Sequence, residues 1–202
     1  MSKYIKNMKT TYIFIVLIIF SGLSCTPIMK QIYGIKNPKP TSDSVIIDKS
    51  EKFFSQKYIL YRPVNGIMFR KLTKDFGIGF PDILFFNAQN MQVNISADTL
   101  KKCTAKADYF IRQLNELNYL KPLKVSKDDL NLCIKSLNNT GNDLSNTNPE
   151  CSLYIFWSDF IGKKLNRQGP LTWINLYNQL PIATKKKIDL KIINMDLLED
   201  MK

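Results

Sequence analysis

The chain has 202 residues, with 29 Lys and Arg against 17 Asp and Glu, a formal charge of +12 and no histidine. Without histidine there is no Ser-His-Asp or Cys-His nucleophile pair, no imidazole general base and no His-ligated metal site. The hydrophobic share of 45% is that of an ordinary globular protein, enough to bury a core.

The first residues read as an export signal. Lys3, Lys6 and Lys9 precede an apolar run over 12–20, followed by Ser21, Gly22, Ser24 and Cys25. Positive charge holds back at the inner face, a short apolar helix inserts, and small residues admit a peptidase. Gly22-Leu23-Ser24-Cys25 resembles a bacterial lipobox, with Gly where the motif carries Leu, Val or Ile. Two other readings stand beside it. An uncleaved anchor needs about 20 apolar residues, whereas nine are continuous here, and Pro27 and Lys30 oppose extension. Alternatively, Cys25 adjoins an ordinary secretory cleavage site. The lipobox resemblance implies a signal peptide over 1–24 and diglyceride and palmitate chains on Cys25, each buried methylene contributing about 0.8 kcal/mol. Neither an Asp nor an acidic cluster follows Cys25. By the same resemblance, that implies an outer-membrane anchor facing the periplasm.

Removing 1–24 leaves 178 residues and a charge of +9. The basic residues are spread along the chain, the densest run being Lys185-Lys186-Lys187. The expected partners are therefore the membrane, through the N-terminal lipid, and a protein of the envelope. Nucleic acid is not expected, because aromatic residues fall at core positions rather than among the basic ones.

Residues 25–50 are polar, with Pro27, Pro38 and Pro40 and the run Thr41-Ser42-Asp43-Ser44, and read as a flexible tether. The folded domain is expected over 51–202. A short strand is predicted at 58–61 and a helix at 66–74, with Met68, Phe69 and Leu72 on one side. Gly77-Ile78-Gly79-Phe80-Pro81-Asp82 leads into 83–86, a continuous apolar run typical of a fully buried strand. Residues 87–90 suit a hairpin turn and 91–95 a return strand. Residues 107–120 form the clearest helix, with Phe110, Ile111, Leu114 and Leu117 as its stripe and Pro122 beyond its end. A short helix is predicted at 128–137 and a polar loop at 138–150. A buried strand at 153–157, a helix at 165–180 with Trp173, Tyr177 and Leu180 inward, and a strand at 188–193 complete the order. Strands alternating with helices predict an α/β domain with a mixed sheet flanked by helices.

Two stretches resemble the thioredoxin family. Phe156-Trp157-Ser158-Asp159-Phe160-Ile161-Gly162-Lys163-Lys164 is similar to the end of the family's central strand and its active-site turn, where Phe-Trp-Ala precedes Cys-Gly-Pro-Cys. A helix and a strand ending Ile193-Asn194-Met195-Asp196 follow at the family's spacing. Gly77-Ile78-Gly79-Phe80-Pro81 and the paired strands after it resemble the family's later half, in which a cis-proline loop enters a buried strand and a hairpin. Here the later half comes first. The resemblance therefore implies a permuted or decorated thioredoxin-like domain, with a helical and loop insertion near 121–150. As a whole the chain also resembles small lipoproteins of Bacteroidetes-type bacteria, which implies no activity.

Carried over residue by residue, the two redox cysteines fall on Ile161 and Lys164. Neither side chain supplies a thiolate, so the dithiol chemistry is absent. Pro81 matches the cis-proline, although a proline before a buried strand also has a plain structural use. Cys103, Cys133 and Cys151 remain beside Cys25. One disulfide with a lone thiol, or three buried thiols, fits their spacing equally. Gly77 and Gly79 are too close for a dinucleotide loop, and Gly162-Lys163-Lys164 lacks the upstream glycine of a phosphate loop. Asp196, Glu199 and Asp200 read as a solvated chain end. The expectation is a lipid-anchored, non-catalytic binding or accessory domain without metal or cofactor. The alternative is an atypical thiol–disulfide or peroxide-handling protein using one cysteine, with Cys103 near a helix start as the best candidate.

Overall fold

The computed structural model describes residues 32–93, 122–138 and 149–197. Cys25, the signal segment, Cys103 and the helix predicted at 107–120 lie outside the described residues. So does most of the 138–150 loop.

Helix α1 spans Asp43–Phe54, and β1 spans Leu60–Pro63. Helix α2, Gly66–Arg70, continues into a π-turn over Lys71–Asp75. Strands β2 (Asp82–Asn87) and β3 (Met91–Val93) form the predicted hairpin, with Phe85 opposite Val93. Next come β4 (Pro122–Ser126), α3 (Lys127–Asn131) and β5 (Ile134–Ser136). Strand β6 (Cys151–Trp157) leads to a 3-10 turn at Asp159–Ile161 and to α4 (Lys163–Asn166). A π-turn at Arg167–Leu171 joins α4 to α5 (Thr172–Gln179), and α6 (Ile182–Lys185) precedes β7 (Ile188–Asn194).

The described strands make one mixed sheet in the order β4-β3-β2-β6-β7-β1-β5. The central strand β6 is buried along its whole length. It runs parallel to β7 from Cys151–Ile188 to Trp157–Asn194, and antiparallel to β2. A parallel neighbour requires a crossover, which α4 and α5 supply. Side chains alternate across β6. Cys151, Leu153, Ile155 and Trp157 join Ile46 and Phe54 of α1 and Trp173, Ile174 and Tyr177 of α5 in one core. Tyr154 and Phe156 join Leu72, Leu130 and Ile193 in the other. The molecule is thus a three-layer α/β structure, with a mixed sheet between two helical layers.

Three expectations change. The part of the expected 25–50 tether that is described does not behave as one: Lys36 and Thr41 hydrogen-bond to the Phe160 and Leu197 carbonyls, and Ile46, Ser50 and Phe54, at i, i+4 and i+8, bury one face of α1. The helix predicted over 128–137 stops at Asn131, and Ile134–Ser136 pairs with β1. The described part of the 121–150 region is not simply an insertion: β4 and β5 form opposite edges of the main sheet.

The helical segment after β6 widens to a π-turn where it contains Gly169 and Pro170. Proline has no N–H, and its ring collides with the carbonyl four residues back. A local i to i+5 pattern accommodates it.

Candidate functional site at the carboxyl ends of the parallel strands

In open α/β sheets, ligands bind beyond the carboxyl ends of the parallel strands. Here Ser158 follows β6, while Asn194 ends β7 and Asp196 lies two residues beyond it. All three are buried, as is Asn166 in α4. The Asp196 carboxylate accepts from the Ser158 hydroxyl at 2.5 Å, the Asn194 amide at 2.9 Å and the backbone N–H groups of Asp159 and Phe160 at 3.1 and 3.4 Å. The Asp196 N–H in turn donates to Asn194 Oδ1 at 2.9 Å. Asn166 Nδ2 donates to the Ser158 carbonyl at 2.7 Å and ties α4 to the strand end. A buried carboxylate costs free energy unless donors replace its water, and here both oxygens have them. Asp196 is therefore a structural clamp on the turn after β6, not a solvated chain end as the sequence suggested. Glu199 and Asp200 lie outside the described residues.

Ile161 and Lys164 lie in the segment that this clamp fixes. Ile161 is buried in the 3-10 turn, and Lys164 places its ammonium 5.2 Å from the ring centre of Tyr33. The Phe80–Pro81 peptide bond is cis. A Cβ at Gly169 would lie 3.1 Å from Pro81 Cβ, so the glycine lets the π-turn approach the loop before β2. Phe80 meets Phe160 edge-on at 5.3 Å. The structure thus sets Pro81 against Gly169 and Phe80 against Phe160, beside the turn that holds Ile161 and is clamped by Asp196, while Lys164 lies in α4.

The described cysteines stand apart. Cys133 and Cys151 are buried free thiols in different cores on opposite sheet faces. Burial pushes the Cys151 thiol up to about 12, with Glu150 and Asp189 adding to the effect and Lys127 opposing it. Burial also raises Cys133, against the pull of Lys71. The Cys133 thiol donates to the Asp129 carbonyl at 3.3 Å. Neither environment favours the thiolate that nucleophilic chemistry needs.

A second polar group closes α3 onto the other sheet face. Lys191 donates to Asn131 Oδ1 at 2.9 Å, which also accepts from the Tyr154 hydroxyl. Its ammonium lies 5.2 and 5.5 Å from the Tyr61 and Tyr154 ring centres. Burial lowers the Lys191 pKa, with Asp189 opposing and Lys127 adding to the shift.

A cleft of about 680 Å³ opens beside the clamp. Segment 32–42 forms one wall. It docks through the Lys36 N–H to the Phe160 carbonyl at 2.7 Å and the Thr41 N–H to the Leu197 carbonyl at 3.0 Å. Gly162 permits this docking: with φ 86, it brings its Cα against the carbonyls of Tyr33 and Gly34, where a side chain would collide. Lys36 and Lys49 both reach Asp159 Oδ2, at 3.5 and 2.9 Å. Partial burial alone raises the Asp159 pKa. The Lys49 hydrogen bond and charge, aided by Lys36, outweigh burial and hold the carboxyl below its ordinary range. Sequence reasoning missed Lys36, Lys49 and the clamp, because their partners lie more than 30 residues away along the chain.

Fold and site define a mixed α/β domain with its polar apparatus at the ends of two parallel strands. Compared with family models, curated proteins and solved structures, the chain matches none of them. Among the described residues no group of three or more Cys, Asp and Glu is placed to hold a metal, and no helix is long and apolar enough to cross a membrane.

Proposed function

We propose that the chain is a lipid-anchored envelope protein whose folded part is a permuted thioredoxin-like domain acting by binding rather than by thiol chemistry. The observation that carries this reading is the turn after β6. Ile161 in this turn and Lys164 in α4 are the residues that the thioredoxin resemblance aligns with the redox cysteines, and Asp196 fixes the turn through Ser158 and the Asp159 N–H. The sheet supports the permutation. Strand β2 precedes β6 in the chain, yet pairs directly with it, and Pro81 at its start faces Gly169 of the segment after β6. That is the adjacency the family reaches in the opposite chain order.

Disulfide-exchange turnover with the purified full chain tests the reading. No turnover above that of free thiol is expected. Turnover that disappears in Cys103→Ser would overturn it in favour of single-cysteine redox chemistry. For the anchor, Cys25→Ala is expected to shift the chain from the outer-membrane fraction to the soluble periplasm. A processed Cys25→Ala chain that still fractionates as an integral lipoprotein would refute lipidation at Cys25.

A further inference from the structure

The cleft beside the clamp carries more ammonium groups than its carboxylates pair with. Its walls are segment 32–42 and the start of α1, and Lys36, Lys39 and Lys49 line it with Asp159 and Asp196. The two carboxylates are already committed. Asp196 is turned to its own donors, and one oxygen of Asp159 is shared by two ammonium groups. Lys39 makes no ion pair among the described residues and is exposed. The Thr41 hydroxyl is committed to the Lys39 carbonyl at 3.1 Å, which leaves Ser42 to add a hydroxyl. The Ser42 hydroxyl does not cap α1 but lies 3.2 Å from that of Ser44. Val45 and Phe160 give the same cleft an apolar side.

We propose that this cleft binds a phosphate monoester, with Lys36, Lys39 and Lys49 as its cationic partners and Ser42 as a hydroxyl donor. Lysine binds phosphate as a mobile point charge. The Lys36 and Lys49 side chains are 61% and 40% exposed, so both have solvent-side freedom to turn from Asp159 towards a ligand. A ligand carrying two negative charges satisfies both and engages Lys39 as well. The volume suits a small phosphorylated molecule, within the roughly 300–1,000 Å³ of ligand sites. The phosphate has two sources. Lys36 lies 11 residues after Cys25, so at about 3.3–3.6 Å per extended residue an anchored chain keeps the cleft within roughly 40 Å of the bilayer. A monoester lipid headgroup is therefore as accessible as a free metabolite.

The inference rests on the reading of the strand ends as a binding edge, but its test is independent of thiol chemistry. The full chain in neutral detergent is titrated with glycerol 3-phosphate and with dihexanoyl phosphatidic acid, with dihexanoyl phosphatidylcholine as the neutral comparison. Binding is followed calorimetrically. The cleft variant carries Lys36→Gln, Lys39→Gln and Lys49→Gln. The control carries Lys185→Gln, Lys186→Gln and Lys187→Gln, which removes the same charge elsewhere. Emission of Trp157 and Trp173 checks that each variant is folded. Saturable binding of at least one monoester is expected, weakened about tenfold or more in the cleft variant, the equivalent of one charge-assisted hydrogen bond. The control is expected to bind as wild type. Preference for glycerol 3-phosphate assigns a free ligand, and preference for the phosphatidic acid assigns a headgroup. Equal weakening in both variants, or no saturable binding of either ester below about 10 mM, overturns the proposal. Neither result bears on the disulfide-exchange assay, so the two readings fail separately.

Discussion

Replacing Gly162 by alanine perturbs the docking of segment 32–42 at one atom. The residue has φ 86 and ψ 157, a region in which an L side chain costs about 1–3 kcal/mol. The added Cβ would also collide with the Tyr33 carbonyl oxygen and lie 2.6 Å from that of Gly34, both backbone atoms. Backbone overlap of this kind exceeds what the segment's attachments can resist. Those are two backbone hydrogen bonds at about 1 kcal/mol each, a solvent-exposed Lys36–Asp159 pair of about 0–1 kcal/mol and the Lys164–Tyr33 contact at about 0.5–1 kcal/mol. The segment is therefore expected to lift. Backbone strain and lost docking together cost about 3–5 kcal/mol. Gly34→Ala is the matched control: its φ is 67, but nothing lies within 4 Å of its Cβ. It should cost only about 1–2 kcal/mol. Urea unfolding followed by Trp157 and Trp173 emission gives the free energies, and brief trypsin digestion reads cleavage after Lys36. Faster cleavage is expected in Gly162→Ala alone. If Gly162→Ala unfolds within about 0.5 kcal/mol of wild type and Lys36 is cut at the wild-type rate, the docking described here is wrong.

Three further outcomes follow from the same structure. Asp196→Ala strips the Ser158 hydroxyl, the Asn194 amide and two backbone N–H groups of their acceptor, and should cost about 2–4 kcal/mol in urea unfolding; a loss below about 1 kcal/mol would deny it the clamp role. Asp196→Asn keeps an acceptor and should lose less. For Cys151, the folded pKa of about 12 lies above the 9.0 of a free thiol, so the folded state holds the proton that the unfolded state releases. Its stabilising effect is complete below pH 9 and is lost as pH rises towards 12. Between pH 9 and 11 the loss amounts to about 2–3 kcal/mol. Cys151→Ala should show a shallower fall in stability over that interval; parallel alkaline limbs would contradict the burial of this thiol.

The sheet was largely legible in the sequence because its central strands are apolar on both faces. Residues 153–157 and 83–86 read as buried strands by their continuous hydrophobic character, and both are. Helix α1 was hidden because Ser50 occupies the middle of its buried stripe, and Ser, Asp and Lys residues surround it. Ser50 is accommodated by donating to the Ile47 carbonyl at 2.8 Å, a bond internal to the helix that leaves no trace in a hydrophobic pattern. The edge strand Ile134–Ser136 shows one buried and two exposed residues, too short a run to separate from a helix end. The clamp was illegible for another reason. Asp196 looks like a terminal acid, and only the pairing of β6 with β7 carries it to the Ser158 turn. In the sequence, Gly162 stands only in a Gly-Lys-Lys run that lacks the upstream glycine of a phosphate loop. Its use lies in the close approach of a segment more than 120 residues earlier.

The most direct test of a thiol-free binding edge is the alkylation rate of each cysteine in the folded full chain at neutral pH, resolved by mass spectrometry against free cysteine. No thiol is expected to react faster than free cysteine, with Cys151 and Cys133 the slowest because burial suppresses their thiolates. A cysteine that reacts faster than the free amino acid contradicts the account.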